Sequence, residues 1–271
     1  MKRINLPYME DTRRLSAALL DFLLPPRCPA CNRRISDHHH LCGTCFADLH
    51  FISDPKCQCC GMSFDIQVGD DPLCAACLAD PPPYDWAASA MVYDQQSKAG
   101  ILRMKHAGSL EYGPHFARLL LRLLQERACA PDMFVPVPLH ARRLFVRGFN
   151  QSAEIARHLV PLTGAVSLPT ALVRRRNTPT QAGLTRRQRQ RNVAGAFDLN
   201  PRTADRLKGK TVILIDDVMT TGATIDACVR ALRKAKPATI GVLTLARTAQ
   251  KPAGQAGQAA FSDADDLFTT F

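Results

Sequence analysis

Two adjacent carboxylates at the end of an apolar run, followed at once by a hydroxyl-rich turn, are the residues best placed to do chemistry in this chain. The stretch reads Val212-Ile213-Leu214-Ile215-Asp216-Asp217-Val218-Met219-Thr220-Thr221-Gly222-Ala223-Thr224. Its four leading apolar residues read as a buried central strand. Such a strand delivers both acids to the carboxyl edge of a sheet, where open α/β folds bind their ligands. The turn then opens a helix, whose first amides point outward unpaired and favour an anion. Thr220, Thr221 and Thr224 add hydroxyl donors. The turn can cradle a phosphate while the acids reach a diol one sugar ring away, which is the shape of a ribose 5-phosphate. No Gly-Lys-Ser/Thr follows, so hydrolysis of a nucleoside triphosphate at a Walker loop is disfavoured.

A second chemistry is carried by sulfur. Four pairs, Cys28/Cys31, Cys42/Cys45, Cys57/Cys60 and Cys74/Cys77, each enclose two residues. A Cys-x-x-Cys turn aims two sulfurs at one ion, and a second such turn completes a zinc tetrahedron. The spacing suits two sequential structural zinc sites, Cys28/Cys31/Cys42/Cys45 and Cys57/Cys60/Cys74/Cys77. An interleaved arrangement meets the same spacing, and Cys59 is a spare thiol able to replace Cys60. The run His38-His39-His40 reads as a solvated loop. With so few aliphatic residues around them, the metals become a condition for folding. Cys129 and Cys228 are expected in the apolar core.

Charge is the third signal. The net charge is +11, and residues 139–192 alone supply +10 from eleven arginines and one acid, Glu154, with no lysine. The arginines are Arg142, Arg143, Arg147, Arg157, Arg174, Arg175, Arg176, Arg186, Arg187, Arg189 and Arg191. A planar guanidinium fork meets phosphate oxygens two at a time. A polyanionic ligand or a nucleic acid is the expected partner of such a cluster.

The thirteen-residue stretch around Asp216 resembles the phosphoribosyl-pyrophosphate (PRPP) signature of type I phosphoribosyltransferases. Two further motifs, Arg147-Gly148-Phe149-Asn150-Gln151 and Thr180-Gln181-x-x-Leu184-x-x-x-x-Arg189-x-x-Asn192, resemble the ComF family, also called GntX-like, the competence-associated branch of that superfamily. The cysteine region has the place and layout of that family's zinc ribbon, and the resemblance spans residues 15–247. It implies that Asp216 and Asp217 hold the ribose hydroxyls and that Val218, Met219, Thr220, Thr221, Gly222, Ala223 and Thr224 surround the 5-phosphate. It also implies a pyrophosphate cradle at Pro138, Arg142 and Arg147, with Lys105 of a Lys-plus-Gly turn beside it. A loop carrying Arg175, Arg176, Gln181 and Arg189 is expected to fold over PRPP, with Arg189 catalytic alongside the two acids. Mg²⁺ accompanies PRPP in such a site. His106 and His140 are weaker site candidates, since a lone histidine is usually structural.

These residues need a scaffold, and the apolar pattern supplies one. Residues 87–93, 133–137, 212–215 and 240–246 read as strands. Residues 113–126, 150–160 and 225–232 carry apolar positions at helical spacing. Alternation of the two predicts an α/β fold with a parallel sheet flanked by helices and a small amino-terminal zinc-ribbon domain. The expected divisions are a lead-in amphipathic helix over 1–27, a cysteine-rich double ribbon over 28–80, a phosphoribosyltransferase-like domain over 84–247 and a disordered tail over 248–271. An apolar content of 46% supports a core, and no apolar run reaches the length of a membrane span. The amino terminus lacks the pattern of a secretory signal, so a cytoplasmic protein with reduced or metal-bound cysteines is expected. Two functions fit. One is a PRPP-dependent transferase, its acceptor unnamed by the sequence, linked through the resemblance to competence, DNA uptake and DNA-processing proteins. The other is a non-catalytic protein that binds single-stranded DNA through its ribbons and arginines. Scarce aromatic residues weigh against tight base-stacking platforms.

Overall fold

The computed structural model describes residues 25–28, 30–36, 41–67, 69–106, 112–176 and 186–249. The expected lead-in helix up to residue 24, the histidine run, Gln181 and the tail beyond Ala249 lie outside the described residues.

In chain order the elements are α1 (Gly43–Ala47), α2 (Ala75–Ala79), β1 (Trp86–Val92), α3 (Gln95–His106), α4 (Tyr112–Glu126), β2 (Met133–Pro136), α5 (Ala141–Arg147) and α6 (Gln151–Thr163). They continue with β3 (Val166–Ser167), β4 (Leu172–Arg174), α7 (Arg186–Val193), β5 (Phe197–Leu199), α8 (Ala204–Leu207), β6 (Thr211–Met219), α9 (Ala223–Arg233) and β7 (Thr239–Arg247). Five strands form one parallel sheet in the order β1-β7-β6-β2-β3, and β4 pairs antiparallel with β5 in a separate ribbon.

Strand periodicity builds the two apolar layers. Along β6, Val212 and Leu214 face one side while Ile213 and Ile215 face the other, and all four are fully buried. The first layer holds Ile225, Cys228, Val229 and Leu232 of α9. The second holds Phe116, Leu120 and Leu124 of α4 with Ile155 and Leu159 of α6. Gly241 of β7 is required by this packing, because a Cβ there would collide with the Trp86 ring and with Ile213. Arg127 lies over the same ring, 5.3 Å from its centroid.

The cysteine region does not stand apart. Cys57, Cys60, Cys74 and Cys77 belong to the same apolar layer as α9 and β6. Gly61, in the left-handed region at φ +69°, brings its turn so close to β1 that a Cβ would sit 2.8 Å from the Ala87 carbonyl oxygen. Phe51 bridges to Met91 and covers the outer edge of β1.

Several expectations change in detail. The acid-bearing strand runs through Asp216 and Asp217 to Met219, because β7 keeps pairing with it as far as Arg247. The arginine-rich stretch is not simply a loop: its ends form β4 and α7. Cys228 is buried, but Cys129 is only half-buried, since it follows α4 instead of lying within it.

Candidate functional site

The carboxyl ends of β2 and β6 open into one polar cleft of about 170 Å³. Strand β6 presents Asp216, Asp217 and Val218 to it, and the following turn adds Thr220 and Thr224. Gly222, at φ +80°, reverses the chain into α9, a conformation that costs any residue with a Cβ. Just after β2 come Val137, Pro138 and Leu139. Helix α5 then starts at His140, whose Nδ1 accepts from the Arg142 amide at 3.3 Å, so this histidine serves as a cap. The start of α6 is fixed by Asn150. Its side chain accepts from the amides of Ser152 and Ala153 and donates to the Val137 carbonyl at 2.9 Å. That single residue ties the second helix start to the end of the neighbouring strand.

Within the cleft the two acids have different surroundings. Asp216 accepts from the Asp217 amide at 2.9 Å and from the Ser152 hydroxyl at 3.4 Å. Burial, then the charge of Asp217, raises its carboxyl to about 7, against the pull of the Asp217 amide and Lys105. Asp217 pairs with Lys105 Nζ at 3.1 Å. Arg189 reaches across from α7 and donates to the Thr220 hydroxyl at 2.9 Å. Arg143, Arg147 and Arg174 complete a cationic wall. Burial, then the neighbouring Arg143, lowers Arg174 from its ordinary value. The arrangement suits a ligand with more than one anionic group and a diol.

The structure brings Asp216, Asp217, Val218, Thr220, Thr224, Lys105, Pro138, Arg147 and Arg189 to this one cleft. Met219 and Ala223 turn into the core, and Thr221 and Gly222 line a second cavity behind the turn. Arg142 is exposed and outside the cleft. Arg175 pairs with Asp198 of β5 at 3.1 Å, and Arg176 donates to the carbonyls of Asn192 and Ala194, so both hold the arginine-rich segment to itself. Sequence reasoning missed Tyr93, Ser152, Arg174 and Gln151 as lining residues. Gln151 is 2% exposed, and its amide nitrogen has no hydrogen-bond partner among the described residues. Its presence in the Arg147–Gln151 motif was the available signal.

The cysteines resolve into two sequential sets, Cys28/Cys31/Cys42/Cys45 and Cys57/Cys60/Cys74/Cys77, in each of which the four sulfurs lie within 4.8 Å of one another. Tetrahedral zinc–thiolate bonds of about 2.3 Å require sulfurs about 3.8 Å apart. Cys31 and Cys42 sulfurs are 3.6 Å apart, and those of Cys60 and Cys74 are 3.7 Å apart. Backbone amides already point at the sulfurs, from Cys42 to Cys28 and from Cys74 to Cys57, both at 3.3 Å. Burial pushes the Cys28 thiol up, but the amides of Cys42, Cys31 and Ala30 outweigh it and bring it down to about 6. Cys57 falls to about 7, where amides of Cys60, Cys74 and Cys59 outweigh its burial. Both sets fit zinc. Cys59 belongs to neither, and its backbone carbonyl accepts from Ala87.

The chain is similar to known proteins along most of its length. Residues 19–79 match the double zinc ribbon domain family and residues 114–263 match the phosphoribosyl transferase domain family. The DNA utilization protein YhgH of Salmonella typhi is 31% identical over 232 residues, covering 83% of this chain and 98% of that one. Competence protein F of Haemophilus influenzae is 29% identical, covering 76% of this chain and 90% of its own. Competence protein ComFC of Bacillus subtilis is 26% identical over 77% of this chain and 84% of its own. Among solved structures, the allosteric regulatory enzyme of purine biosynthesis overlaps 49% of this chain and 26% of that one, at 20% identity and a TM-score of 0.34, too slight a likeness to bear on function. With a double zinc ribbon joined to a phosphoribosyltransferase domain, and with competence and DNA-utilization relatives along most of its length, the chain belongs to the ComF family.

Proposed function

We propose that this protein binds PRPP with Mg²⁺ in the cleft above β6 and transfers its ribosyl phosphate to an acceptor. The observation that carries the reading is the pairing of two adjacent carboxylates with a hydroxyl-lined helix start inside an otherwise cationic cleft. The turn from Thr220 to Thr224 takes the 5-phosphate, with Arg189 drawn onto it through Thr220. Asp216 and Asp217 take the ribose hydroxyls. Arg143, Arg147 and the amide of Gln151, at the start of α6, receive the pyrophosphate. The two aspartates and the pyrophosphate are the hard oxygen donors that Mg²⁺ prefers, and the ion supplies charge neutralisation for the departing pyrophosphate. Lys105, paired with Asp217, exchanges that partner for a ligand oxygen. Fixed cations around the cleft stabilise charge that develops on the leaving group, which is where preorganised donors contribute most.

Calorimetry with PRPP and Mg²⁺ tests the binding step. Wild-type protein is expected to bind, and Asp216→Asn with Asp217→Asn to lose affinity by about a hundredfold or more, from two charge-assisted contacts of about 1.5–3 kcal/mol each. Unchanged affinity in a folded double variant removes the reading. Release of pyrophosphate from labelled PRPP across a panel of bases and nucleotides tests the transfer step.

A second reading concerns partners. Helix α5 leaves Phe145 90% exposed and Val146 71% exposed, next to Arg142. An outward aromatic side chain among arginines is the pattern that binds single-stranded nucleic acid by stacking and phosphate contact. It is compatible with PRPP binding, because α5 borders the cleft without filling it.

A further inference from the structure

Behind the turn from Thr220 to Gly222, on the side away from the cleft, lies a second cavity whose walls include Cys60, Cys77, Arg247 and Thr248. Arg247 ends β7 in register with Met219 and is 6% exposed. Its guanidinium donates to the Cys60 carbonyl and faces the Cys60 side chain. Among the described residues its Nε has no hydrogen-bond partner, and the acids Asp80 and Asp226 line the same cavity. A buried cation is stable only with anionic groups around it. The cysteine set adds anionic charge directly at the guanidinium, through Cys60. Four thiolates on one Zn²⁺ leave a net charge of −2, and the four sulfurs of the second set are themselves buried. Each charge therefore stabilises the other.

The next residue carries the connection onward. Thr248 donates from its amide to the Met219 carbonyl at 3.0 Å and from its hydroxyl to the Thr220 carbonyl at 3.4 Å. Both carbonyls belong to the segment that enters the phosphate turn. The first cysteine set has no such link among the described residues, with Cys31 exposed and Cys45 half-buried at the surface.

We propose that Arg247 is a positioning residue that locks the phosphate-binding turn to the second metal site, so that zinc at Cys57/Cys60/Cys74/Cys77 and a sugar phosphate at the turn support each other's binding. This rests on the proposed sugar-phosphate site, and the linkage is reciprocal by thermodynamic necessity. Groups just outside a metal's ligands typically change its affinity about 10–100-fold.

The test uses full-length, zinc-loaded protein and ribose 5-phosphate as the probe. A colorimetric chelator follows zinc loss, and calorimetry follows ribose 5-phosphate binding. In wild type, saturating ribose 5-phosphate is expected to slow the loss of one of two zinc ions about tenfold and leave the other unchanged. Arg247→Met is expected to lose that protection and to weaken ribose 5-phosphate about tenfold, with Arg247→Lys recovering part of both. Protection of neither ion, or of both equally, in protein that binds ribose 5-phosphate overturns the coupling, and so does an Arg247→Met variant with wild-type behaviour. Protein that does not bind ribose 5-phosphate at all overturns the proposed site instead. The wild-type protection measurement decides the question even if the methionine variant fails to fold.

Discussion

At the scale of the residue, Asp216 shows how placement sets chemistry. Its carboxyl is raised from 3.8 to about 7 by burial and then by Asp217. Between those values the folded chain holds a proton that the unfolded chain has already lost. Stability of the ligand-free protein therefore falls as pH rises through this window. Ligand binding runs the other way, because a diol and a divalent cation both need the ionised form. Affinity for PRPP with Mg²⁺ is expected to rise from pH 6 and level off above about 7. Asp216→Asn flattens that rise and removes the group's contribution to the fall in Tm. A binding profile with the same pH dependence in wild type and variant would contradict this assignment. The acids were legible in the sequence because strand, acids and turn are contiguous from Val212 to Thr224. Gln151, Arg174 and Tyr93 were not, because each reaches the cleft from a different element, and nothing local marks which way a side chain will point.

Elements that carry an apolar stripe were equally legible. Helices α4, α6 and α9 and strands β1, β2, β6 and β7 follow the hydrophobic period closely. Short or polar elements were not. Helix α7 reads Arg-Arg-Gln-Arg-Gln-Arg-Asn-Val, with a buried Val193 at its end to mark a face, and β4 and β5 are three residues each. Their existence depends on tertiary pairing, Leu172 with Leu199 and Arg174 with Phe197. Helix α5 is the element whose surface asks for a partner. Phe145→Ala is expected to weaken binding to a single-stranded oligonucleotide about fivefold, the low end of one stacking interaction. Arg142→Ala should lower the slope of log affinity against log salt by about 0.7, one phosphate contact on a single strand. No binding at low salt by the unaltered protein would dismiss this role for α5.

On the scale of the whole molecule, the two cysteine sets have unequal structural weight. Cys57, Cys60, Cys74 and Cys77 sit within the layer shared with Val212, Leu214, Val229 and Tyr84, whereas the first set lies outside both layers, with Cys31 exposed and Cys45 half-buried. Replacing Cys74 by serine should therefore abolish cooperative folding. Replacing Cys31 by serine should lower Tm by only a few degrees, about 2–4 °C for each kcal/mol lost. Equal losses, measured by thermal unfolding in the presence of zinc, would contradict that ranking. Composition pointed to the cysteine region as a unit because its turn formers and sulfurs end at the proline triplet Pro81-Pro82-Pro83. What spacing could not convey is where that unit rests, since docking depends on Gly61 meeting Ala87 and on Arg247 meeting Cys60.

That seam bears on how modular such a protein is. A ribbon borrowed from a relative would have to arrive with the residues it leans on, Ala87, Tyr84 and Arg247 among them, or leave a buried guanidinium facing a mismatched wall. Exchange of parts along this lineage is thus expected to be concerted across the seam, with the metal knuckle and the last strand travelling as a pair.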